Sequence, residues 1–449
     1  MDNPDNIILI NPVGCDGSSV KTENTNVGLA SLDAYLKQHQ ITSTIINSTD
    51  IDQYRDRSDV FGISVMDHSY EHALELSESL KDKTLIWGGW TATALAEKIL
   101  TDHAPVDYVI LREGEERLRA LIESFQRPDA FDKIDGIAFR DSKGKVTVRA
   151  AEKHLDMDIL PFPEERAVLS DRVVFVELSR GCYGGCRFCQ DVSVMRYKSA
   201  ERLAEEFQHW LKKGYTEFYV GNANSLANGN LLSQMADRIE ALGLHVRLHF
   251  VGRPDDVLRN ADSIEKLFAS PLIDMAKIEI GIEADSQRML DILGRGTTPE
   301  INRSAIRRLE ELREKYSPDT GLHCNMILFS HYSITMEELI QNIRFIGDFA
   351  PHTRNGVGGH LFGIAGTPIW DELHEKGFPP LEKLGMRIIR SEFSDPDVKE
   401  LYRRIVTRLS QLCKKDPNIL SLTNVLHDEV MSLYNFGDLE QAVKEYPFE

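Results

Sequence analysis

Cysteine is scarce in this chain. Its 449 residues contain six, at Cys15, Cys182, Cys186, Cys189, Cys324 and Cys413, too few and too unevenly spread for a disulfide scaffold. Long apolar runs are missing as well. No segment approaches the ~20 residues that a bilayer-spanning helix needs. The opening "MDNPDNIILINPVG" lacks the basic region and apolar stretch of a signal peptide, so a cytoplasmic protein is expected, with no membrane association. Positive charge is in deficit: 52 Lys and Arg stand against 71 Asp and Glu, for a formal net charge of -19. The acidic residues run through helical stretches such as "ERLAEEF" and "MEELIQN", and no basic stripe offers a footprint for nucleic acid. Low-complexity sequence is absent too; 42% hydrophobic and 27% charged residues describe a globular chain long enough for two or three domains.

What is present is a rhythm. "NIILINP" is a short apolar run, and after a polar loop "VGLASLDAYLKQHQ" repeats its apolar residues at helical spacing. The alternation continues through "STIINS", "DVFGISVM", "SYEHALELSESLK", "TLIWGG", "ATALAEKILTDH", "DYVIL" and "EERLRALIESF". Short apolar strands between amphipathic helices predict a doubly wound parallel sheet over about residues 5 to 127. "DGIAFRDSKGKVTVR" reads as short alternating strands, and the two prolines of "LPFPEER" read as a linker near residues 152 to 170. Six further strands follow, "VVFVELS", "EFYVGN", "HVRLHFVG", "AKIEIGI", "LHCNMILFS" and "GVGGHLFGI", most of them separated by helical patterns. Six βα-like units are fewer than a closed barrel requires and predict a partial (β/α)6 barrel. Beyond about Gly377 the pattern is helical.

Half of the thiols lie in "GCYGGCRFC", directly after the strand "VVFVELS". The end of a barrel strand is where this architecture places chemistry, and the glycines at 181, 184 and 185 let the backbone wrap tightly. Cys182, Cys186 and Cys189 are three soft ligands. A structural zinc site closes with four, and no nearby Cys or His completes a set. A 4Fe-4S cluster held by three thiolates keeps one iron open.

The spacing Cys-x3-Cys-x2-Cys, with Phe188 just before the last cysteine, resembles the signature of the radical S-adenosylmethionine superfamily. That resemblance implies a 4Fe-4S cluster on the three cysteines and S-adenosylmethionine chelated at the open iron. It further implies reductive cleavage to a 5'-deoxyadenosyl radical that abstracts hydrogen from substrate, with an electron donor such as flavodoxin or ferredoxin. Phe188, Asn222, Arg253 and Glu283 are the cofactor-binding candidates it suggests. Arg253 is a bidentate partner for a carboxylate, and Asn222 stands where the family often carries an acidic or glycine-rich patch. "MILFSHYSITMEEL" departs from the family's glycine- and proline-rich version and offers His331 and Tyr332 as substrate contacts or hydrogen donors. "GTPIWDEL" suggests a turn at Pro368.

The first domain is similar to the cobalamin-binding domain fused ahead of such barrels, on "LINP", "VGLASLDAYLKQHQ" and "GGWTATALAEKILTDHAPVDYVILREGEERLRALIESF". This implies a corrin over the carboxyl ends of the strands, with Gly88, Gly89 and Trp90 as candidate contacts. No Asp-x-His-x-x-Gly pattern supplies a histidine ligand to cobalt, and Trp90 follows the glycine pair where the family often has His. The expected organisation is a cobalamin-binding-like α/β domain over 1–150, a linker over 151–170, a radical S-adenosylmethionine partial barrel over 171–380 and a helical region over 381–449. The expected function is cobalamin-dependent methyl transfer to, or rearrangement of, a small molecule or natural product. Two alternatives stand beside it. One is a cobalamin-independent dehydratase or epimerase acting on a sugar-like substrate, and the other is a non-catalytic cobalamin or iron-sulfur sensor.

Overall fold

The computed structural model describes residues 6–12, 26–164, 168–170, 172–191, 193–221, 224–350, 353–381, 388–415 and 422–446. They belong to two compact units, Met1–Phe175 with Gly363–Ile389, and Val176–Phe362 with Arg390–Glu449.

The first unit carries the strands β1 (Ile7–Asn11), β2 (Ser43–Asn47), β3 (Val60–Ser64), β4 (Thr84–Gly88), β5 (Tyr108–Ile110), β6 (Ile137–Arg140) and β7 (Val146–Arg149) in one sheet of order β2-β1-β3-β4-β5-β6-β7. β1 to β5 pair in parallel, whereas β6 and β7 add as an antiparallel hairpin. The first five strands thus follow the flavodoxin-like order, which reverses direction between β1 and β3. Side chains of β1 alternate faces, and both faces are covered. Ile8 and Ile10 pack with Phe61, Trp87, Tyr70 and Ile99, while Ile7 and Leu9 pack with Leu29, Leu36 and Ile86. Such two-sided burial is why "IILI" reads as a continuous apolar run. The hairpin β6–β7 extends the sheet, because Ile137 and Ala138 have the same two cores to fill.

In the second half the strands are β8 (Val168–Ser170), β9 (Val173–Glu177), β10 (Ser179–Arg180), β11 (Arg196–Tyr197), β12 (Glu217–Gly221), β13 (Val246–Gly252), β14 (Ile273–Glu283), β15 (Gly321–Phe329) and β16 (Arg354–His360). They form a sheet of order β16-β15-β14-β13-β12-β9-β8 and a separate antiparallel ribbon of β10 and β11. From β12 to β16 each strand lies parallel to its predecessor, so every crossover steps one place in the same direction. That progression is the arrangement of an incomplete (β/α)6 barrel.

The crossover helices start sharply because each has a capping side chain. Ser199, Asn228, Thr298 and Thr335 accept from backbone N–H groups in the first turns of Ala200–Lys212, Gly229–Ala241, Pro299–Tyr316 and Met336–Phe349. Pro368 does not mark a turn. It opens the helix Pro368–Glu375 behind the cap Thr367, a position where the missing N–H costs nothing. The carboxyl-terminal region is helical, in Pro396–Lys415, Leu422–Tyr434 and Leu439–Glu445.

Candidate active site

In the first unit, polar groups collect where the strand order reverses. Asn11 ends β1, Asn47 ends β2 and Ser64 ends β3. Asn26 caps the helix Val27–Gln38 by accepting from Leu29 N at 3.0 Å. Its amide nitrogen donates to Asn11 Oδ1 and to Ser64 Oγ, both at 3.2 Å, and Asn11 donates onward to Asn47 at 3.3 Å. One asparagine therefore ties three strand ends into a short polar floor at the crevice where open α/β sheets bind ligands. Gly88 ends the neighbouring β4. Gly89 has φ +102°, and a Cβ there would stand 2.6 Å from the carbonyl oxygen of Val65, so only glycine fits. Trp90 follows, half-buried, at the start of a short helix. Beside it Thr91 is fully buried and its Oγ1 has no partner.

In the second unit, β10 and β11 clasp a loop that contains all three clustered cysteines. Ser179 pairs with Tyr197 and Arg180 with Arg196. Lys198 then donates its N–H to Leu178 O at 3.0 Å and holds Glu206 in a fully buried ion pair of 2.7 Å. Gly181, at φ +84°, lets the chain pass under Ser193 and Val194, where a Cβ would stand 2.6 Å from Val194 O. The far side of the loop is pinned to the turn after Gln287–Ile292, the short helix that follows β14. Arg187 N donates to Leu293 O at 2.9 Å, and a Cβ on Gly294 would meet Gly185 O at 2.5 Å.

Cys182 and Cys186 are buried and Cys189 half-buried, all as free thiols. Burial pushes the Cys182 thiol up and that of Cys189 to about 11, so these thiols ionise only when a cation compensates them. Two guanidiniums converge on Cys186 Sγ, Arg295 Nη1 at 3.2 Å and Arg253 Nη1 at 3.6 Å. Both arginines are buried, at 6% and 5% exposure. Arg253 also donates to Asp255 at 3.0 Å and to the Arg295 carbonyl, so three of its five N–H groups are engaged.

Glu283 lies at the end of β14, where the register with β15 slips between Gly281 and Glu283. Its φ of +68° is rare for a residue with a Cβ, and the bulge redirects its side chain. The carboxylate stands 4.0 Å from Arg295 Nη1 and is 14% exposed. Burial pushes its carboxyl up, and the charges of Arg295 and Arg253 act against that. His331 sits in the turn after β15, 5% exposed, with Nδ1 2.8 Å from Ser333 Oγ and its ring 4.2 Å from that of Tyr332. Phe188 is half-buried between Cys186 and Cys189. Asn222 lies outside the described residues. The neighbouring Asn224 is buried and donates to Asp256 at 2.6 Å.

Residues 15–122 match the B12 binding domain, and residues 176–346 match the Radical SAM superfamily. The chain belongs to the radical SAM superfamily, in its B12-binding class. Among curated relatives, the anaerobic magnesium-protoporphyrin IX monomethyl ester cyclase of Synechocystis sp. is 25% identical over 253 residues, 53% of this chain and 49% of its own length. The 4'-phospho-dehydrooxetanocin synthase of Priestia megaterium is 23% identical over 367 residues, 72% of this chain and 48% of its own. The chain thus spans about half the length of these two relatives. Among solved structures, the cobalamin-dependent radical SAM enzyme OxsB, with aqua-cobalamin and S-adenosylmethionine bound, has a TM-score of 0.76 at 17% identity and covers 96% of this chain and 72% of its own. The radical SAM methyltransferase TsrM of Kitasatospora setae gives 0.65 at 14% identity, covering 82% and 76%.

Membership in this radical SAM class implies a 4Fe-4S cluster, S-adenosylmethionine and cobalamin as cofactors, and the residues present fit them. For the cluster, three thiols are wrapped by glycine backbone and met by two N–H donors, which suits an anionic metal–thiolate group. Among the described residues no group of three or more Cys, His, Asp or Glu side chains is placed to hold a single metal ion. For the corrin, the strand ends carry short side chains and glycine, with the orphaned Thr91 hydroxyl close by in sequence. Sequence reasoning missed Arg295, Asn11, Asn26 and Asn47. Arg295 reaches Cys186 across 109 residues. The only sequence signal for it was a charged residue between the two glycines of "LGRGT". No helix among the described residues is long and apolar enough to cross a membrane.

Proposed function

We propose that this chain is a cobalamin-dependent radical SAM enzyme that transfers a methyl group to, or rearranges the skeleton of, a small molecule. The observation that carries the reading is the Cys182–Cys186–Cys189 loop, closed by the β10–β11 ribbon, with two guanidiniums on Cys186, in a chain that also has a flavodoxin-like B12-binding sheet. Cys182, Cys186 and Cys189 would hold a 4Fe-4S cluster, which when bound and reduced would supply the electron for cleavage of S-adenosylmethionine. The chain's own residues hold the charges. Arg295 and Arg253 offset the negative charge at Cys186, and Glu283 stands near the guanidiniums as an acceptor for an ammonium group. Trp90 and the asparagine-tied strand ends form the floor for a corrin. Two relatives are named as a magnesium-protoporphyrin IX monomethyl ester cyclase and a 4'-phospho-dehydrooxetanocin synthase, which supports a small-molecule substrate. The electron comes from a flavodoxin or ferredoxin.

The test is anaerobic reconstitution with iron and sulfide, followed by dithionite and S-adenosylmethionine. About four irons per chain and formation of 5'-deoxyadenosine are expected, both lost in Cys189→Ser. An intact cluster that leaves S-adenosylmethionine uncleaved would sink the proposal. Hydroxocobalamin that fails to co-elute with the protein would remove the cobalamin part of it.

A further inference from the structure

The ends of β15 and β16 meet at the pair Phe329 and His360, at the same carboxyl end of the parallel strands as Glu283. Aromatic rings gather there. His360 stacks on Phe362 with centroids 5.4 Å apart and 26° between planes, and lies 5.0 Å from Phe393 and 5.2 Å from Tyr402. Phe362 is 38% exposed, so the stack has an open face. Above Tyr402 sits the guanidinium of Arg390, 5.0 Å from the ring centroid. The Arg390 side chain makes no hydrogen bond or ion pair among the described residues. The nearby carboxylate Glu392 pairs with Lys399, and the charge of Arg390 also helps to hold that carboxyl down.

Two polar atoms at the same rim are also unsatisfied. Ser330 Oγ and His360 Nδ1 are buried without partners, while His360 Nε2 is 3.4 Å from Ser391 Oγ. Leaving a buried polar atom unpaired is costly, and a bound molecule that completes the pairing removes that cost. Burial, and then the charge of Arg390, hold His360 down at about 3. Its ring is therefore neutral, with one nitrogen donating and the other accepting.

We propose that this rim binds the substrate through a planar ring bearing an anionic group. Phe362 and Tyr402 take the ring, Arg390 takes the carboxylate or phosphate, and His360 fixes orientation by hydrogen bonding. The assignment rests on the reading that substrate is transformed at this end of the radical SAM sheet. A guanidinium poised on an aromatic face, with no carboxylate hydrogen-bonded to it among the described residues, is suited to an anion that brings the ring with it.

The test is a fluorescence titration of the full-length protein with 2-naphthyl phosphate, 2-naphthoate and uncharged 2-naphthol. It needs no iron and no radical, so failure here and failure of 5'-deoxyadenosine formation are separate results. A charge-assisted hydrogen bond contributes enough for at least about tenfold tighter binding of an anion than of 2-naphthol. Arg390→Gln should abolish that preference and leave 2-naphthol binding within about twofold, and Phe362→Ala, at an exposed position, should weaken all three probes. The tighter of the two anions tells phosphate from carboxylate. No binding by the native protein, equal binding of anions and 2-naphthol, or a preference that survives Arg390→Gln would overturn the assignment.

Discussion

Replacing Arg295 by Gln should expose how the site balances its charges. The change removes the cation nearest Glu283, a donor to Cys186 and the donor to the Gly281 carbonyl. Both members of the pair are largely buried, at 6% and 14% side-chain exposure, so solvent screens little of the loss. Glu283 then escapes by taking up a proton. From an unfolded value of 4.5, full protonation at pH 7 bounds the electrostatic cost at 1.36 × (7 − 4.5), about 3.4 kcal/mol. The direction with pH follows from burial. A carboxyl whose folded pKa is raised binds more protons folded than unfolded, so its contribution to stability falls as pH rises from 4.5 toward the folded value. Arg295→Gln widens that window upward. Urea unfolding of the iron-free, reduced protein should therefore show a deficit of about 2–3 kcal/mol at pH 7 that shrinks toward pH 5. Glu283→Gln in the same chain should recover most of it, with a coupling energy of about 2 kcal/mol. Additive effects of the two substitutions, or a deficit unchanged between pH 7 and pH 5, would refute this account.

Gly89→Ala should destabilise the first unit by at least about 2 kcal/mol, because an L-residue in that conformation costs about 1–2 kcal/mol and its Cβ also meets the Val65 carbonyl. Calorimetry should show the corresponding transition lowered by roughly 4–8 °C. Glu338 accepts from Ser286 and Arg288 at 2.8 Å and closes a capping box with Thr335. Burial raises its carboxyl, but Arg288, the Thr335 N–H and Ser286 outweigh that and leave it lowered. A lowered carboxyl contributes stability above its unfolded value of 4.5 and loses it as pH falls through the folded value. Glu338→Gln should thus cost about 1–2 kcal/mol at pH 7, since half-exposed Arg288 is partly screened, with the cost shrinking as pH falls below 4.5 in a pH series of urea melts.

The features legible in the sequence were those written in short spacing. The cysteine loop spans eight residues, and the doubly wound sheet announces itself through apolar runs such as "IILI", buried on both faces. Long-range features left no such mark. Arg295 meets Cys186 only because the turn after the helix Gln287–Ile292 folds onto the cluster loop, and Asn26 meets Asn11 and Ser64 only because the order reverses between β1 and β3. Residue type alone suggests that a histidine in a loop is a surface residue. His331 is buried because its turn folds its ring onto Ser333 and Tyr332. The hairpin β6–β7 read as a prelude to a linker, since alternation reveals a strand but not the sheet edge it joins.

The left-handed backbone at Glu283 has a consequence for how this protein can change. Glycine there would relieve about 1–2 kcal/mol of conformational cost, and it would also remove a carboxyl that burial disfavours. Gln would remove the carboxyl but inherit the backbone cost, and Asp would keep both. Selection for heat tolerance alone should therefore drift toward glycine at position 283, and the hardier descendants would have lost an acidic group that stands beside Arg295.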